Sequence, residues 1–324
     1  MSLSFAFILD PFDALDFAAD TSFHLMAECQ GRGHSVFAIE ASDLTVEGAT
    51  PAGRAVRVEM DPERGWVPHG AAEAMPLGDF DCIFMRKEPP VDLSYIYYTY
   101  ILELTPPSTF VINDPRGLRD ANEKLYTLHF PELIPETLVA RNKAELTSFM
   151  EQVGGAMIIK PLGDYGGHDV FVCRSGDSNL GAILDCVTAR GQQLIMAQRY
   201  LPEVTTEGDK RILLLDGEPL GAFLRKPSPG DHRANISAGG TAEPAEVTEA
   251  DRALCAALKG SLADDGLYFV GVDVIGGLIT EINVTCPAGV YEIDQFNGVN
   301  SASPVIAFCE AMEAACKAAS PSSA

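Results

Sequence analysis

Short apolar runs alternate with amphipathic segments over the first third of the chain. The pattern predicts strands at 4–9, 35–40, 54–59, 82–86 and 109–113, and helices at 21–31 and 95–104. Strands that alternate with helices are typical of βαβ units, so this region predicts an open parallel sheet, with the third strand as an edge piece. Ligands of such sheets gather at the carboxyl ends of the strands, where Asp10, Arg86 and Asn113 lie.

Beyond residue 120 the apolar runs follow a different order. The pattern predicts helices at 121–130, 143–153, 248–265 and 303–318, and strands at 137–140, 156–160, 169–173, 194–200, 210–215 and 220–225. Asp216-Gly217, a common turn dipeptide, joins the last two of these strands into a hairpin. The stretch 227–241 is rich in Gly, Pro and charge and predicts a mobile loop, and the small residues at 319–324 predict a disordered tail.

Two further apolar strands carry a set of oxygen donors near the end of the chain. Asp273 lies in one strand, and Glu281 and Asn283 lie two residues apart in the next, so the last two face the same side. Oxygen donors at this density predict a Mg²⁺ site, because Mg²⁺ prefers hard oxygen ligands and shares them with phosphate. The same pattern is typical of a hairpin whose wet face carries a few polar residues.

The turn between these two strands tests the magnesium hypothesis. Gly276-Gly277 favours a two-residue hairpin turn, in which Asp273 would pair with Thr280 and lie on the opposite face from Glu281. A shared metal site needs Asp273 across from Glu281. We therefore expect an odd-numbered loop or a glycine bulge between the strands.

A glycine-rich turn with a lysine at its root follows the strand at 156–160. The segment 160–167 reads Lys-Pro-Leu-Gly-Asp-Tyr-Gly-Gly and leads into another strand, so it is not a Walker A loop, which opens a helix. Its backbone N–H groups could fold over phosphates, with Lys160 as a point charge. Glycine turns without a ligand are also common.

Further cations follow along the chain, at Lys124, Lys210, Arg211, Arg225 and Arg233. Each one, taken singly, fits a solvated or ion-paired side chain. Together they place several positive charges near an acid–acid–amide set, although 46 acidic residues oppose 23 lysines and arginines and the net charge is −23. That combination indicates ATP with Mg²⁺ and a carboxylate substrate. The acidic surface argues against partners such as nucleic acid or anionic membranes.

Cysteine usage and hydropathy indicate a cytoplasmic protein. The eight cysteines show neither a Cys-x-x-Cys pair nor zinc spacing, and scattered thiols fit a reducing compartment. The N-terminus has no basic flank and reaches an acid at Asp10, so it predicts a first strand rather than a signal peptide. No apolar run approaches the ~20 residues of a membrane span.

An ordered series of short motifs covers nearly the whole chain. It comprises Leu-Asp-Pro at 9–11, Met-Arg-Lys-Glu-Pro-Pro at 85–90, Asn-Glu-Lys-Leu at 122–125, Lys-Pro-Leu at 160–162, Gly-Gly at 166–167, Ala-Gln-Arg-Tyr-Leu-Pro at 197–202, Gly-Asp-Lys-Arg at 208–211, Asp-Gly-Glu-Pro at 216–219, Ala-Gly-Gly at 238–240, Val-Gly-Val-Asp at 270–273 and Glu-Ile-Asn-Val-Thr at 281–285. In this order the motifs resemble those of the bacterial glutathione synthetases, a family with the ATP-grasp fold.

The resemblance implies an α/β fold in three parts with a short tail at 319–324. An N-terminal open parallel-sheet domain at 1–120 would precede an α+β ATP-grasp module, divided into a lid subdomain at 121–202 and a metal and substrate subdomain at 203–318. It further implies that ATP phosphorylates the C-terminal carboxylate of γ-glutamylcysteine and that the glycine amine then attacks the acyl phosphate. The implied ligands are ATP, Mg²⁺ or Mn²⁺ and small-molecule substrates, and the implied assembly is a homo-oligomer.

The resemblance also assigns roles to individual residues. Asp273, Glu281 and Asn283 would bind two magnesium ions. Arg211 and Arg225 would stabilise the acyl phosphate and the tetrahedral intermediate, and Arg233 would act from a loop that closes over the substrates. The implied nucleotide contacts are Lys124, Lys160, Gly166, Gly167, Gln198, Tyr200, Leu201 and Asp209. The implied substrate contacts are Arg86, Arg225, Arg233 and Tyr291.

Two segments depart from the family pattern. The family usually has Asp-Gly-Met-Gly-Gly after Lys-Pro-Leu, where this chain has Gly-Asp-Tyr-Gly-Gly, so Tyr165 adds bulk near the acceptor. Downstream of Asn283 the family has Ser-Pro-Thr-Gly-Ile-Arg-Glu, where this chain has Cys286 in the first position and Tyr291 in place of the arginine. These changes leave open a ligase for another dipeptide or amine. A catalytically silent ATP-binding homologue is the third alternative, which the retained lysines and metal set argue against.

Overall fold

The computed structural model describes residues 2–12, 19–61 and 63–319, which form three β-sheets with helices packed against them. The α/β class predicted from the sequence is confirmed. The last helix ends at Ala319, so the rest of the predicted tail, 320–324, lies outside the described residues.

The first sheet is mixed rather than purely parallel. Its strands are β1 Ser4–Leu9, β2 Ser35–Glu47, β3 Thr50–Asp61, β4 Gly65–Pro76, β5 Cys82–Met85 and β6 Phe110–Ile112. Their order is β4-β3-β2-β1-β5-β6, in which β2, β1, β5 and β6 are parallel, as predicted, and β3 and β4 are antiparallel. The strand expected at 54–59 is therefore internal, and the edge strand is β4. The sequence pattern gives no sign of β4, because this strand contains two prolines and buries none of its residues.

Helices α1 (Thr21–Gly31) and α2 (Leu93–Glu103) cover opposite faces of this sheet. On β1, Phe5 and Phe7 pack in the core that α1 joins, whereas Ala6 and Ile8 pack in the core that α2 joins. A central strand buried on both sides accounts for the continuous apolar run at 4–9.

The junction after β6 differs from the predicted helix at 121–130. Helix α3 (Pro115–Asp120) comes first, because Asp114 accepts hydrogen bonds from the N–H groups of Arg116 and Gly117. The Asn122 side-chain oxygen then accepts from the N–H groups of Lys124 and Leu125 and turns the chain into a 3₁₀ helix at Leu125–His129. The predicted α-helix is wrong, and Lys124 lies immediately before this short turn.

The second sheet is antiparallel and lies between residues 137 and 199. Its strands are β7 Thr137–Ala140, β8 Ala156–Pro161, β9 Phe171–Arg174 and β10 Ile195–Arg199, in the order β7-β10-β8-β9. Helices α4 (Lys143–Gln152) and α5 (Leu180–Val187) pack against one face of it. Because Met157 and Ile159 face that core, Ile158 and Lys160 face the other side of the sheet.

The third sheet, also antiparallel, holds the predicted hairpin and the metal residues. Its strands are β11 Asp209–Leu215, β12 Glu218–Lys226, β13 Thr241–Ala245, β14 Phe269–Ile275 and β15 Leu278–Asn283, in the order β13-β12-β11-β14-β15. The remaining helices are α6 Glu203–Thr206, α7 Glu249–Asp264, α8 Val290–Asn297 and α9 Ala302–Ala319. Asp216 and Gly217 both have positive φ angles, of 50° and 73°, so the predicted two-residue hairpin turn is confirmed.

Asn113 joins the first sheet to the third. Its side-chain nitrogen donates to the carbonyls of Phe269 and Val284, and its side-chain oxygen accepts from the N–H groups of Tyr268 and Phe269. This buried amide at the end of β6 therefore connects strands rather than facing a ligand.

Candidate active site

Strands β14 and β15 bring the predicted metal residues onto one face. The turn between them has two residues, but Asp273 pairs with Glu281, so Thr280 is an extra residue in β15. Directly opposed residues of antiparallel strands share a face, and Asn283 follows Glu281 on the same side. The expected bulge is confirmed, although the extra residue is Thr280 rather than a glycine.

Two buried arginines hold Asp273. Arg211 lies opposite Asp273 across β11 and β14 and binds both carboxylate oxygens, with Nε–Oδ1 at 2.5 Å and Nη2–Oδ2 at 3.0 Å. Arg225, on β12, places Nη2 2.9 Å from Oδ2 of Asp273 and 2.6 Å from Oδ2 of Asp209. Two cations and two anions therefore form one buried network, with each residue at most 9% exposed.

The two carboxyl groups of the network differ in pKa, and two atoms of the network have no hydrogen-bond partner. Burial raises the pKa of the Asp273 carboxyl, but Arg211 and Arg225 outweigh it and hold that pKa well below its usual range. Burial raises the pKa of Asp209 to about 6, against the attraction of Arg225. Asp209 Oδ1 and Arg225 Nε are buried with no hydrogen-bond partner. Because such atoms are costly to bury unpaired, they are candidates to meet a bound cation and a bound anion.

Two buried lysines converge on Glu281. Lys160 places Nζ 3.6 Å from Glu281 Oε1 and donates to the carbonyl of Thr280 at 3.3 Å. Lys124 lies 4.0 Å from the same carboxylate oxygen and donates to the carbonyl of Asp164 at 2.6 Å. Burial raises the pKa of Glu281, but the two lysines outweigh it, so its pKa is lowered.

A cleft of about 70 Å³ lies between the second and third sheets. It is lined by six of the predicted nucleotide contacts: Lys160, Gly167, Gln198, Tyr200, Leu201 and Asp209. Asp273, Glu281 and Arg233 line it too. The cleft therefore brings together residues as far apart in the sequence as Lys160 and Glu281.

The glycine turn and the loop at 227–241 meet over this cleft. Gly167 has a φ of +78°, and a Cβ there would lie 2.7 Å from Asn235 Oδ1. Ser237 donates its hydroxyl to the carbonyl of Gly166 at 3.3 Å. A side chain at 167 would therefore both strain the backbone and collide with the loop.

A larger cavity of about 380 Å³ adjoins the cleft at Glu281 and Asn235. Arg211, Arg225 and Asn283 line it, and besides Glu281 so do three further glutamates, Glu88, Glu123 and Glu292. Burial raises the pKa of all three glutamates, that of Glu123 to about 7. The cavity therefore presents both guanidinium and carboxyl groups, which suits a substrate with charges of both signs.

Three predicted residues make contacts that the sequence did not indicate. Arg233 forms an ion pair with Asp231 on its own loop, at 2.8 Å. Arg86 is buried and lies outside the wall of the larger cavity, since it donates to Ser22 Oγ at 3.0 Å and to the carbonyl of Pro287 at 3.1 Å.

Tyr291 also lies outside the described wall of the larger cavity. Its ring lies 5.8 Å from the ring of His24 on α1. Contacts of Tyr291, Arg86 and Arg233 with a substrate stay predictions.

Sequence reasoning missed Glu88 and Glu123 as lining residues. Each lies next to a lysine in the sequence, and such Lys–Glu neighbours are typical of solvated surface positions. Glu123 also falls in the segment predicted as a helix, where a glutamate is unremarkable. Only the packing of the first sheet and the 3₁₀ turn against β15 brings them to the cavity.

Two sheets that enclose a cleft, with a buried lysine at the root of a glycine turn on one side and carboxylates and arginines on the other, define an ATP-grasp ligase. Such ligases use ATP together with a divalent metal ion. Models of the prokaryotic glutathione synthetase N-terminal domain and of the prokaryotic glutathione synthetase ATP-grasp domain match residues 3–119 and 123–298. The chain belongs to the prokaryotic glutathione synthetase family.

Similar proteins agree with this assignment. The glutathione synthetase of Synechococcus elongatus is 43% identical over 321 residues, covering 96% of this chain and 99% of the relative. That of Coxiella burnetii is 41% identical over 314 residues, covering 96% and 97%.

Solved structures share the fold at lower identity. D-cycloserine synthetase DcsG superimposes with a TM-score of 0.67 at 18% identity, covering 95% of this chain and 99% of that one. The ATP-grasp ligase PsnB, complexed with minimal precursor, Mg and ADP, has a TM-score of 0.57 at 16% identity, covering 97% and 98%. None of the helices in the described ranges is long and apolar enough to cross a membrane.

Proposed function

We propose that this protein joins γ-glutamylcysteine to glycine, with ATP converting the dipeptide carboxylate into an acyl phosphate. The observation that carries the proposal is the position of Asp273. It is held by Arg211 and Arg225 beside the substrate cavity, and across the bulged hairpin it faces Glu281, which the two lysines approach. The reacting carboxylate and the nucleotide phosphates would meet there.

We assign Mg²⁺ or Mn²⁺ to Asp273, Glu281 and Asn283. Two carboxylates with lowered pKa and one amide offer only oxygen ligands, which suits these ions. Asn283 donates its nitrogen to Asp273 at 3.2 Å, which leaves its carbonyl oxygen as a ligand. In the part of the chain that is described, no three His, Cys, Asp or Glu side chains form a metal cluster, so phosphate oxygens would complete the coordination. The bound ions would neutralise charge on the phosphates.

We assign the nucleotide to the cleft between the second and third sheets. Lys124 and Lys160 would contact the phosphates, with the backbone of Gly166 and Gly167 closing over them. The segment Gln198–Leu201 and Asp209 would hold the base and the sugar side. Ligand pockets usually span roughly 300–1,000 Å³, so the contact between the glycine turn and the loop at 227–241 must open to admit ATP.

The reaction needs no nucleophile from the protein, because ATP itself activates the carboxylate. Catalysis then rests on holding the reactants together and on neutralising the charge that develops. Arg211 and Arg225 would stabilise the acyl phosphate and the tetrahedral intermediate. Their network with Asp273 and Asp209 fixes them before substrate binds. Arg233 would close with its loop and exclude water.

A ligase of the same mechanism with another amine is the second candidate. Tyr165 and Cys286, two positions that depart from the family pattern, both line the larger cavity. Tyr291 lies outside the described wall of that cavity, so the missing arginine gives this candidate less support than Tyr165 and Cys286 do.

Product analysis with a panel of amines tests the proposal. The purified protein is incubated with ATP, Mg²⁺ and γ-glutamylcysteine, and glycine, β-alanine or serine is added separately. We expect phosphate and tripeptide in equal amounts with glycine, and a large loss of both in Arg225→Met but not in the exposed control Arg252→Met. Phosphate release that ignores glycine and responds to another amine supports the second candidate. ATP binding without consumption contradicts both.

We also propose that the protein is a homo-oligomer, as the family resemblance implies. Helix α2 and its C-cap expose four apolar side chains at helical spacing: Leu93, Tyr97, Tyr100 and Leu104. Glu103, next to Leu104, pairs with Arg116 at 3.0 Å, and a two-fold contact could exchange this pair between two copies. Sedimentation should show an oligomer that Tyr97→Glu dissociates, whereas a monomeric wild-type protein at micromolar concentration would contradict the proposal.

We further propose a cytoplasmic location and the division of the chain at 1–120, 121–202 and 203–318. All eight cysteines are free thiols, which supports a reducing compartment. Limited proteolysis tests the division, and we expect the first cuts near residues 121 and 203.

A further inference from the structure

One glutamate reaches the larger cavity from the N-terminal sheet. Glu88 follows β5 and lines the cavity together with Pro89. Arg211 and Arg225 line the same cavity from the third sheet. Opposite charges from two different sheets therefore face one space of about 380 Å³.

The backbone of Glu88 is fixed on both sides. Its N–H donates to Asp10 Oδ2 at 2.7 Å, and its carbonyl accepts from Lys87 Nζ at 3.0 Å. Lys87 also pairs with Asp10 Oδ1 at 2.8 Å. The neighbouring lysine is therefore engaged by Asp10 and by the backbone, and the Glu88 side chain starts from a defined position.

The carboxyl group of Glu88 lacks a cation of its own. The Cys286 thiol lies beside it but donates to the carbonyl of Arg86 at 3.1 Å, and the nearby Arg86 guanidinium is held by Ser22 and Pro287. Among the described residues, the ion pairs around the cavity use Asp10, Asp209, Asp273 and Glu281 but not Glu88. Burial raises the pKa of Glu88, and the attraction of the nearby Arg86 does not offset it.

The other glutamates of the cavity interact with charges that the reaction uses, and Glu281 does so through the two lysines. Glu123 accepts the Thr285 hydroxyl at 2.9 Å, and Lys124 and Arg211 lower its pKa in part. Arg211 and Arg225 likewise lower the pKa of Glu292 in part. Among these glutamates, Glu88 is the one whose pKa neither the network arginines nor the two lysines noticeably affect.

We propose that Glu88 binds the α-ammonium group of the γ-glutamyl residue and so selects the first substrate by its amino group. This inference rests on the proposed function. The reacting carboxylate lies at one end of the dipeptide, beside Arg211 and Arg225, and the ammonium group lies at the other end. An ammonium bound there supplies the counter-charge that Glu88 lacks, in a charge-assisted hydrogen bond.

A pair of substrates tests this contact. γ-Glutamylcysteine carries the ammonium group, and glutarylcysteine is the same molecule without it. For the wild-type protein we expect kcat/KM to favour γ-glutamylcysteine by about 10–100-fold, the range of a hydrogen bond between charged groups. In Glu88→Gln, which keeps the size of the side chain, the preference should fall to within about 3-fold, through loss on γ-glutamylcysteine alone. The KM for ATP should not change.

Two further variants keep the test decisive. Glu88→Asp retains the charge and should retain most of the preference, even if both variants lose some thermal stability. Glu123→Gln should keep the full preference. The inference is overturned if Glu88→Gln discriminates as the wild type does, or if the preference disappears in Glu123→Gln instead.

The outcomes also separate this inference from the proposed function. A wild-type protein that turns over neither substrate with glycine and ATP contradicts the proposed function, and the role of Glu88 fails with it. A wild-type protein that makes the tripeptide, beside a Glu88→Gln variant with unchanged preference, contradicts the role of Glu88 alone.

Discussion

Asp273 on β14 faces Glu281 on β15, although a regular two-residue hairpin would place Asp273 opposite Thr280. A shift of one residue moves every later side chain of a strand to the other face. The single extra residue at Thr280 therefore decides whether Glu281 and Asn283 share a face with Asp273. It also directs the Thr280 carbonyl to Lys160 in the facing sheet.

Asp273 should matter for stability as well as for catalysis. In Asp273→Asn, Arg211 and Arg225 lose their shared carboxylate inside the protein, and breaking a buried ion pair costs about 3–5 kcal/mol. We expect a loss of that size in the free energy of unfolding by urea, measured with EDTA present. Glu281→Gln is the matched control. That side chain is 20% exposed and its lysines lie 3.6–4.0 Å away, so we expect its free energy of unfolding to fall by only about 1 kcal/mol. Equal losses in the two variants would contradict the network described here.

Gly167 should be needed for closure over the nucleotide. Gly167→Ala puts a Cβ at a positive φ and 2.7 Å from Asn235 Oδ1. The backbone strain alone is worth about 1–2 kcal/mol, so we expect kcat/KM for ATP to fall by roughly 5–30-fold. Gly163→Ala is the control in the same turn, since its φ is not positive and its Cβ would meet nothing within 4 Å. Wild-type values of kcat/KM for ATP in both variants would contradict this role of Gly167.

Glu123 should make stability depend on pH. Burial raises its pKa from 4.5 to about 7, so between these values the folded state holds a proton that the unfolded state has lost. Stability from this group is therefore present below pH 4.5 and decreases as the pH rises to 7. Glu123→Gln does not titrate, so its free energy of unfolding relative to wild type should rise by about 2–3 kcal/mol over that interval in EDTA. A difference that stays constant with pH would show that the carboxyl is not buried.

The sequence predicts much of this molecule because its elements carry local signals. The apolar run at 4–9, the Asp-Gly turn at 216–217 and the conflict between Gly276-Gly277 and a shared metal face are all readable from neighbouring residues. The same holds for Lys160 at the root of a glycine turn, which lies in the cleft beside Glu281.

Other features depend on contacts between distant segments. Strand β4 has no apolar alternation and forms only because β3 offers its edge. The 3₁₀ turn after Asn122 replaces a predicted helix, because a side-chain acceptor intercepts two backbone N–H groups. In the sequence Glu88 looks like the partner of Lys87. In the structure Asp10, 78 positions before Glu88, accepts the Glu88 N–H and forms the ion pair with Lys87.

Phosphorylation of the dipeptide carboxylate beside Asp273 must move one carboxylate oxygen into the released phosphate. Transfer of oxygen tests it most directly. γ-Glutamylcysteine labelled with ¹⁸O in its C-terminal carboxylate is incubated with the protein, ATP, Mg²⁺ and glycine, and the inorganic phosphate is analysed by mass spectrometry. We predict one ¹⁸O atom in each phosphate released, because the bridging oxygen of the acyl phosphate comes from the carboxylate and leaves with the phosphate when the glycine amine attacks the carbonyl carbon. Phosphate without the label, released at the same rate whether or not the dipeptide is present, would contradict the account.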